Sequence, residues 1–181
     1  MALEYWSRGD IPPGPVKATL ITDVNKAIDV LKKYIGSTTI LLGSNLHNLE
    51  ETLGSSIVDL FVELANLIKS NIVVSDSRIV RKLDEKKFSN YRIIFPLDFV
   101  RMIHSGVIEP KLIILAGFRY YYGWLLLNNL KHYKPSLATM SLDPYAQPNA
   151  TWTLPSLPLS IWHKNILQLL NAIKSQLSQN L

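Results

Sequence analysis

The chain has no cysteine. That excludes a disulfide framework, a thiolate zinc site, a conventional cysteine-ligated iron–sulfur cluster and a cysteine nucleophile. If the chain serves a redox system, the thiolate-bound metal centres belong to another polypeptide. Long hydrophobic runs are missing as well. Leu112–Gly117 and Trp124–Leu127 are apolar, but Arg119 and a run of tyrosines part them, so neither approaches the roughly 18 apolar residues of a membrane helix. The opening residues MALEYWSRGD carry early charge and no apolar signal core, and we expect a cytoplasmic protein with no membrane partner. The phosphate-cradling patterns G-x-G-x-x-G and G-x-x-x-x-G-K-[ST] are absent, as is the G-x-S-x-G nucleophile elbow. The histidines His47, His104, His132 and His163 form no H-x-x-x-H pair; His47 is the one we consider functional, and the others are expected at the solvated surface.

Charge of one sign is in modest excess: 19 Lys and Arg against 14 Asp and Glu, a net +5. The densest run, Arg78 to Lys87, includes Asp84 and Glu85 and has no interleaved aromatic platform. It reads as a solvated face, and no nucleic-acid partner is expected.

What is present suits one domain. A chain of 181 residues, 48% of them hydrophobic, buries enough surface to fold without a metal or disulfide staple. Residues 1–16 contain Ile11-Pro12-Pro13-Gly14-Pro15, which no helix accommodates, and are expected as an extended arm bearing Tyr5 and Trp6. Residues 17–181 are expected to form a single α/β domain.

Within it, Val24, Ala27, Ile28, Leu31 and Ile35 recur at helical spacing after Thr22, the expected N-cap. Thr38–Gly43 is a short, continuously apolar run of the kind that forms a strand buried on both faces. Asn48 and Glu51 resemble a capping box, Gly54-Ser55 interrupts, and Ile57–Ile68 is helical. Asn71–Ser75 and Lys111–Gly117 read as strands, Leu97–Ser105 and Tyr120–His132 as helices, and Ser136–Met140 as a further strand. Residues 78–95 have no clear period. A proline-rich loop, Pro144–Pro158, precedes a helix over about Ser160–Ser178. Helices alternating with short apolar strands imply a Rossmann-like three-layer sandwich with a mainly parallel sheet.

Ligands of open α/β sheets bind beyond the carboxyl ends of the strands. Two strands here end in glycine, so Gly43, Ser44 and Asn45, together with Gly117, Phe118 and Arg119, are the candidate cofactor-facing residues. Asp76, at the exit of another strand, either accepts from a ribose hydroxyl or caps the following turn. Tyr120-Tyr121-Tyr122-Gly123-Trp124 is dense enough to stack on a ring, to form an interface hot spot, or simply to pack a helix face. Asn149-Ala150-Thr151 matches a glycosylation sequon but is expected to make a loop-to-backbone contact.

Several of these segments together carry a resemblance. Ala27–Gly43, Leu60–Val73, Leu112–Tyr121 (LIILAGFRYY) and Asn149-Ala150-Thr151 before the last amphipathic helix resemble the epsilon subunit of the archaeal acetyl-CoA decarbonylase/synthase (carbon monoxide dehydrogenase) complex over about residues 16–178. The domain type is similar to the DHS-like NAD/FAD-binding domain, the central domain of thiamine-diphosphate enzymes. The resemblance implies an accessory subunit without catalytic residues of its own. It implies a partner, the CO dehydrogenase alpha subunit holding the nickel–iron–sulfur clusters, in an alpha-two, epsilon-two arrangement, and homo-oligomers when isolated. It further implies a role in stabilising that partner and in electron transfer to FAD, for which the strand edge above is the expected site.

Overall fold

A computed structural model describes residues 18–178 of the chain; the expected arm, with Tyr5 and Trp6, lies outside the described residues. Seven strands and seven helices follow one another among them. The strands are β1 (Thr19–Leu20), β2 (Thr38–Leu42), β3 (Asn71–Val74), β4 (Tyr91–Ile93), β5 (Leu112–Ala116), β6 (Ala138–Ser141) and β7 (Trp152–Thr153). The helices are α1 (Val24–Lys33), α2 (Leu46–Leu53), α3 (Ile57–Leu67), α4 (Ser77–Glu85), α5 (Pro96–His104), α6 (Tyr120–Tyr133) and α7 (Leu159–Ser178).

The strands form one sheet in the order β1-β7-β6-β5-β2-β3-β4, and every pairing is parallel. The expectation of a mainly parallel sheet is met in full. Apart from the added edge strand β1, the chain winds outward from β2 to β4, returns to β5, and winds the other way to β7. That is the strand order of dinucleotide-binding folds, with its switch point between β2 and β5.

Each central strand is buried on both faces, which explains its unbroken apolar sequence. Along β5, Leu112, Ile114 and Ala116 point into one core and Ile113 and Leu115 into the other. The first core lies under α1, α2, α3, α4 and α7. The second lies under α5 and α6, with Ala150 of the β6–β7 loop joining it. One face of the sheet is therefore thickly covered and the other thinly.

Local sequence explains most boundaries. Asp23, not Thr22, caps α1, its carboxylate accepting from the Asn25 N–H at 2.9 Å. Lys32 and Lys33 occupy the last turn, where cations suit the helix dipole, and Gly36 follows with φ +73°. Asn48 and Glu51 sit inside α2, which begins two residues before Asn48; the Asn48 amide donates to Asn45 Oδ1 at 2.9 Å rather than capping its own helix. The helix starts early because the β2–α2 turn is closed by β5, a tertiary constraint. Gly54 ends α2 with φ +62°, and Pro96 opens α5, where its missing N–H costs nothing. Residues 78–95 resolve into α4 and the short edge strand β4. Only Ile79 and Leu83 of α4 are buried, so the helical period there is thin. Strands β1 and β7 have two residues each; β1 falls between the expected arm and the first helix, where no element was expected, and β7 in the segment read as a proline-rich loop. His104 is half-buried, not solvated, its ring 5.5 Å from that of Tyr133.

Trp162 fastens α7 to the sheet. It is completely buried, and its indole N–H donates to the Leu142 carbonyl at 2.8 Å. Trp162→Ala should lower the free energy of unfolding by about 3–5 kcal/mol in urea titration. Trp162→Phe keeps the apolar bulk but orphans the carbonyl, and should cost about 1–3 kcal/mol.

Candidate functional site at the carboxyl ends of the strands

The two glycine-ended strands are neighbours. β2 and β5 run in register from Thr38 opposite Leu112 to Leu42 opposite Ala116, so Gly43 and Gly117 emerge side by side. The pairing continues past the strands: the Gly43 N–H donates to the Ala116 carbonyl at 2.9 Å and the Asn45 N–H to the Gly117 carbonyl at 2.9 Å. A Cβ on Gly43 would fall on the Gly117 carbonyl, and one on Gly117 would fall on the Leu46 side chain. Gly117 also holds φ +76°, a conformation that favours glycine. Both glycines are thus required by the approach of one loop to the other.

That packing sorts the expected cofactor-facing residues. Gly43, Gly117 and Phe118 are buried. Ser44 and Arg119 are exposed and Asn45 is half-buried. Asp76, at the exit of β3, caps α4: one oxygen accepts from the Arg78 N–H at 2.9 Å and from His47 Nε2 at 3.0 Å. Burial by itself would raise this carboxyl, but the hydrogen bonds from His47 and Arg78 outweigh it and hold it at about 2.

His47 is therefore structural glue between α2 and the β3–α4 turn, with 7% of its surface exposed. Its other ring nitrogen lies 3.8 Å from Glu50, which accepts from the Val58 N–H at 3.0 Å and pairs with Lys82. Beside this network runs an open groove of about 550 Å³ edged by Arg78, Arg81, Glu51 and Glu85. Its charges nearly cancel, so it selects no one sign of ligand.

Asp143 is the residue that sequence reading missed. It is 1% exposed at the exit of β6, and its Oδ1 accepts from the Gly117 N–H at 2.5 Å and the Phe118 N–H at 3.3 Å. Those are the donors a phosphate would use after a glycine-ended strand; here the protein supplies its own carboxyl. Burial pushes this group up to about 7, against the pull of the two backbone hydrogen bonds, and its second oxygen has no partner among the described residues. The signal in the sequence was slight: an acid two residues past a short strand. Nearby, Gln147 donates to the Tyr120 carbonyl at 3.1 Å, in space left by Gly123. Together Asp143 and Gln147 set the first turn of α6. The tyrosine run there divides: Tyr122 packs 5.8 Å from the Phe118 ring, while Tyr121 is 67% exposed. Thr151 of the sequon exchanges hydrogen bonds with Thr139 on β6, at 3.1 Å and 3.0 Å.

Fold and site define a doubly wound α/β domain whose switch-point crevice is closed by its own backbone and an internal carboxyl. Among the described residues no three His, Asp or Glu side chains gather as metal ligands, and no helix is long and apolar enough to cross a membrane. Residues 13–171 match the family model described as CO dehydrogenase beta subunit/acetyl-CoA synthase epsilon subunit. The chain belongs to this family. None of the curated proteins compared with it matches. Among solved structures it is similar to a short chain alcohol dehydrogenase (rspB) from E. coli CFT073 complexed with NADH, at 14% identity and a TM-score of 0.44, over 83% of this chain and 45% of that one. That likeness is too slight to bear on what this chain binds.

Two measurements test the site. Gly43→Ala and Gly117→Ala should each destabilise the fold by roughly 2–4 kcal/mol in denaturant titration, through overpacking and, at Gly117, a strained φ. Because the folded Asp143 carboxyl titrates above its unfolded value, its stabilising contribution is full below about pH 4 and is lost as pH rises through about 7. Asp143→Asn should flatten that decline. Asp76 works in the opposite sense, its contribution being lost only as pH falls from about 4 toward about 2.

Proposed function

We propose that this chain is an accessory subunit of a CO dehydrogenase/acetyl-CoA synthase complex, and that it binds and stabilises the large alpha subunit that carries the nickel–iron–sulfur centres. The observation that carries this reading is the family match over residues 13–171. The absence of cysteine supports it, since the thiolate ligands of such clusters must come from another chain. The paired arrangement, alpha-two with epsilon-two, belongs to the same reading.

FAD at the strand edge is a separate matter. A flavin there would have to lie over Ser44, Asn45 and Arg119, because Gly43, Gly117 and Phe118 are buried and Asp143 already takes the Gly117 and Phe118 N–H groups. Asp76 is engaged with His47 and Arg78. We infer that these residues do not fit a pyrophosphate cradled in the crevice.

Affinity purification from the native source under anaerobic conditions tests the subunit reading. The large subunit, with nickel and iron, should co-elute in equal amount with this chain. Elution of the chain alone from a lysate that contains the large subunit would overturn the proposal. In a separate titration, FAD absorbance and fluorescence should stay unchanged at high micromolar protein; a saturable shift abolished by Arg119→Ala would restore the flavin reading.

A further inference from the structure

The amino ends of the strands carry a hollow that plays no part in the site above. Strands β2, β3 and β4 begin there side by side. Thr39 lies opposite Asn71, and Arg92 lies opposite Val73, two residues further along β3. Alternation along the strands therefore puts Thr39, Asn71 and Arg92 on one face, the face covered only by α5 and α6. They wall an open hollow of about 480 Å³, completed by Lys69, Asn90, Glu109 and Lys111. That volume is in the range of roughly 300–1,000 Å³ usual for small-molecule sites.

Charge of one sign prevails in it. Lys69, Arg92 and Lys111 are all exposed, and among the described residues none of their side chains is held in an ion pair or a hydrogen bond. Glu109 is the acid on the wall, and it pairs with none of the three. The groove beside α4 is built the other way: its Lys82 is paired with Glu50 and its Arg78 with Asp76. Helix ends do not account for these cations either. Arg92 is within β4 and Lys111 directly precedes β5, so neither stands in the last turn of a helix, where a cation would offset the dipole. Like charges gathered without counter-charge repel one another, and a recess that focuses their field draws an anion.

The hollow also holds a fixed neutral donor. The buried Thr39 hydroxyl donates to Asn71 Oδ1 at 2.9 Å. That bond fixes the amide and leaves both N–H donors of its nitrogen without a partner among the described residues. Asn90 is fixed in turn by donating to the Ser70 carbonyl at 3.1 Å. A guanidinium, two ammonium groups and an amide are donors that suit a phosphate group, the guanidinium engaging two oxygens at once. A second hollow of about 350 Å³ shares Ile108 and Lys111 with the first and runs on to Tyr34 and Leu137. Its walls suit the less polar part of a phosphate ester.

We propose that the hollow at the amino ends of β2, β3 and β4 is a binding site for a phosphate-bearing small molecule. Lys69, Arg92 and Lys111 hold the phosphate oxygens, and Asn71 donates to one of them. The site stands apart from the glycine turns, at the opposite end of the sheet, and does not depend on the subunit reading.

Calorimetric titration of the full chain with inorganic phosphate, pyrophosphate and ADP, all at one ionic strength, tests it. Pyrophosphate should bind saturably at one site per chain, more tightly than phosphate. Lys69→Gly with Arg92→Gln should weaken that binding at least tenfold. The melting temperature should not fall by more than a few degrees, because glycine suits the φ of +51° at Lys69 and Arg92 is exposed. Arg81→Gln, in the groove beside α4, should bind as wild type. ADP binding more tightly than pyrophosphate assigns the site to a phosphate ester that extends into the second hollow; ADP binding no more tightly assigns it to a free oxyanion. Both results uphold the site. Absence of saturable binding at millimolar ligand would overturn it. So would binding that survives Lys69→Gly/Arg92→Gln unchanged, or that Arg81→Gln weakens equally.

Discussion

The rest of the structure depends on how closely the chain approaches itself where β2 and β5 end. Two strands from distant parts of the sequence run in register to Leu42 and Ala116, and the loops that leave them touch backbone to backbone through Gly43 and Gly117. Any side chain at either position would hold the loops apart. With both glycines in place, the Asn45 N–H reaches the Gly117 carbonyl, α2 starts early at Leu46, and Leu46 fills the space beneath the turn. Asp143 secures the arrangement from the β6 side by accepting the two N–H groups that the turn leaves unpaired. An unmade hydrogen bond at such a buried place costs more than a made one contributes, so a buried internal carboxyl is tolerated there.

This closure bears on what a doubly wound sheet can do. The switch point is where such sheets ordinarily admit a ligand, because the chain diverges there and leaves a crevice. Here the divergence is present in the strand order but the crevice is filled. The strand edge becomes a rigid platform, and its exposed part consists of Ser44, Arg119 and the first turn of α6. On the adjoining face, where only α5 and α6 cover the sheet, several large apolar side chains of these helices are exposed.

Legibility in the sequence followed burial pattern. β2, β3, β5 and most helices were readable because a strand buried on both faces must be apolar throughout, and a helix covering a core must repeat every three to four residues. The 78–95 segment was not, because α4 buries only Ile79 and Leu83 and β4 is an edge strand with two of its three residues exposed. β1 and β7 were missed because two-residue strands have no period, and their pairing comes from partners far along the chain. In the candidate site the glycine-ended loops were located correctly in the sheet. Their reason was not visible, since neither the contact of Gly43 with Gly117 nor the reach of Asp143 leaves a local trace.

By itself the sequence determined the class of fold, the position of the loops that end β2 and β5, the absence of thiolate chemistry and the family. Each of these depends on residue type and short-range spacing, which the chain carries wherever it folds. Only the tertiary structure decided whether those loops face a ligand or each other, that Asp76 binds His47 while Asp143 serves the Gly117 turn, and which face gathers the exposed aromatic side chains. Those outcomes depend on distances between residues tens of positions apart, and such distances are set by the order in which parallel strands assemble.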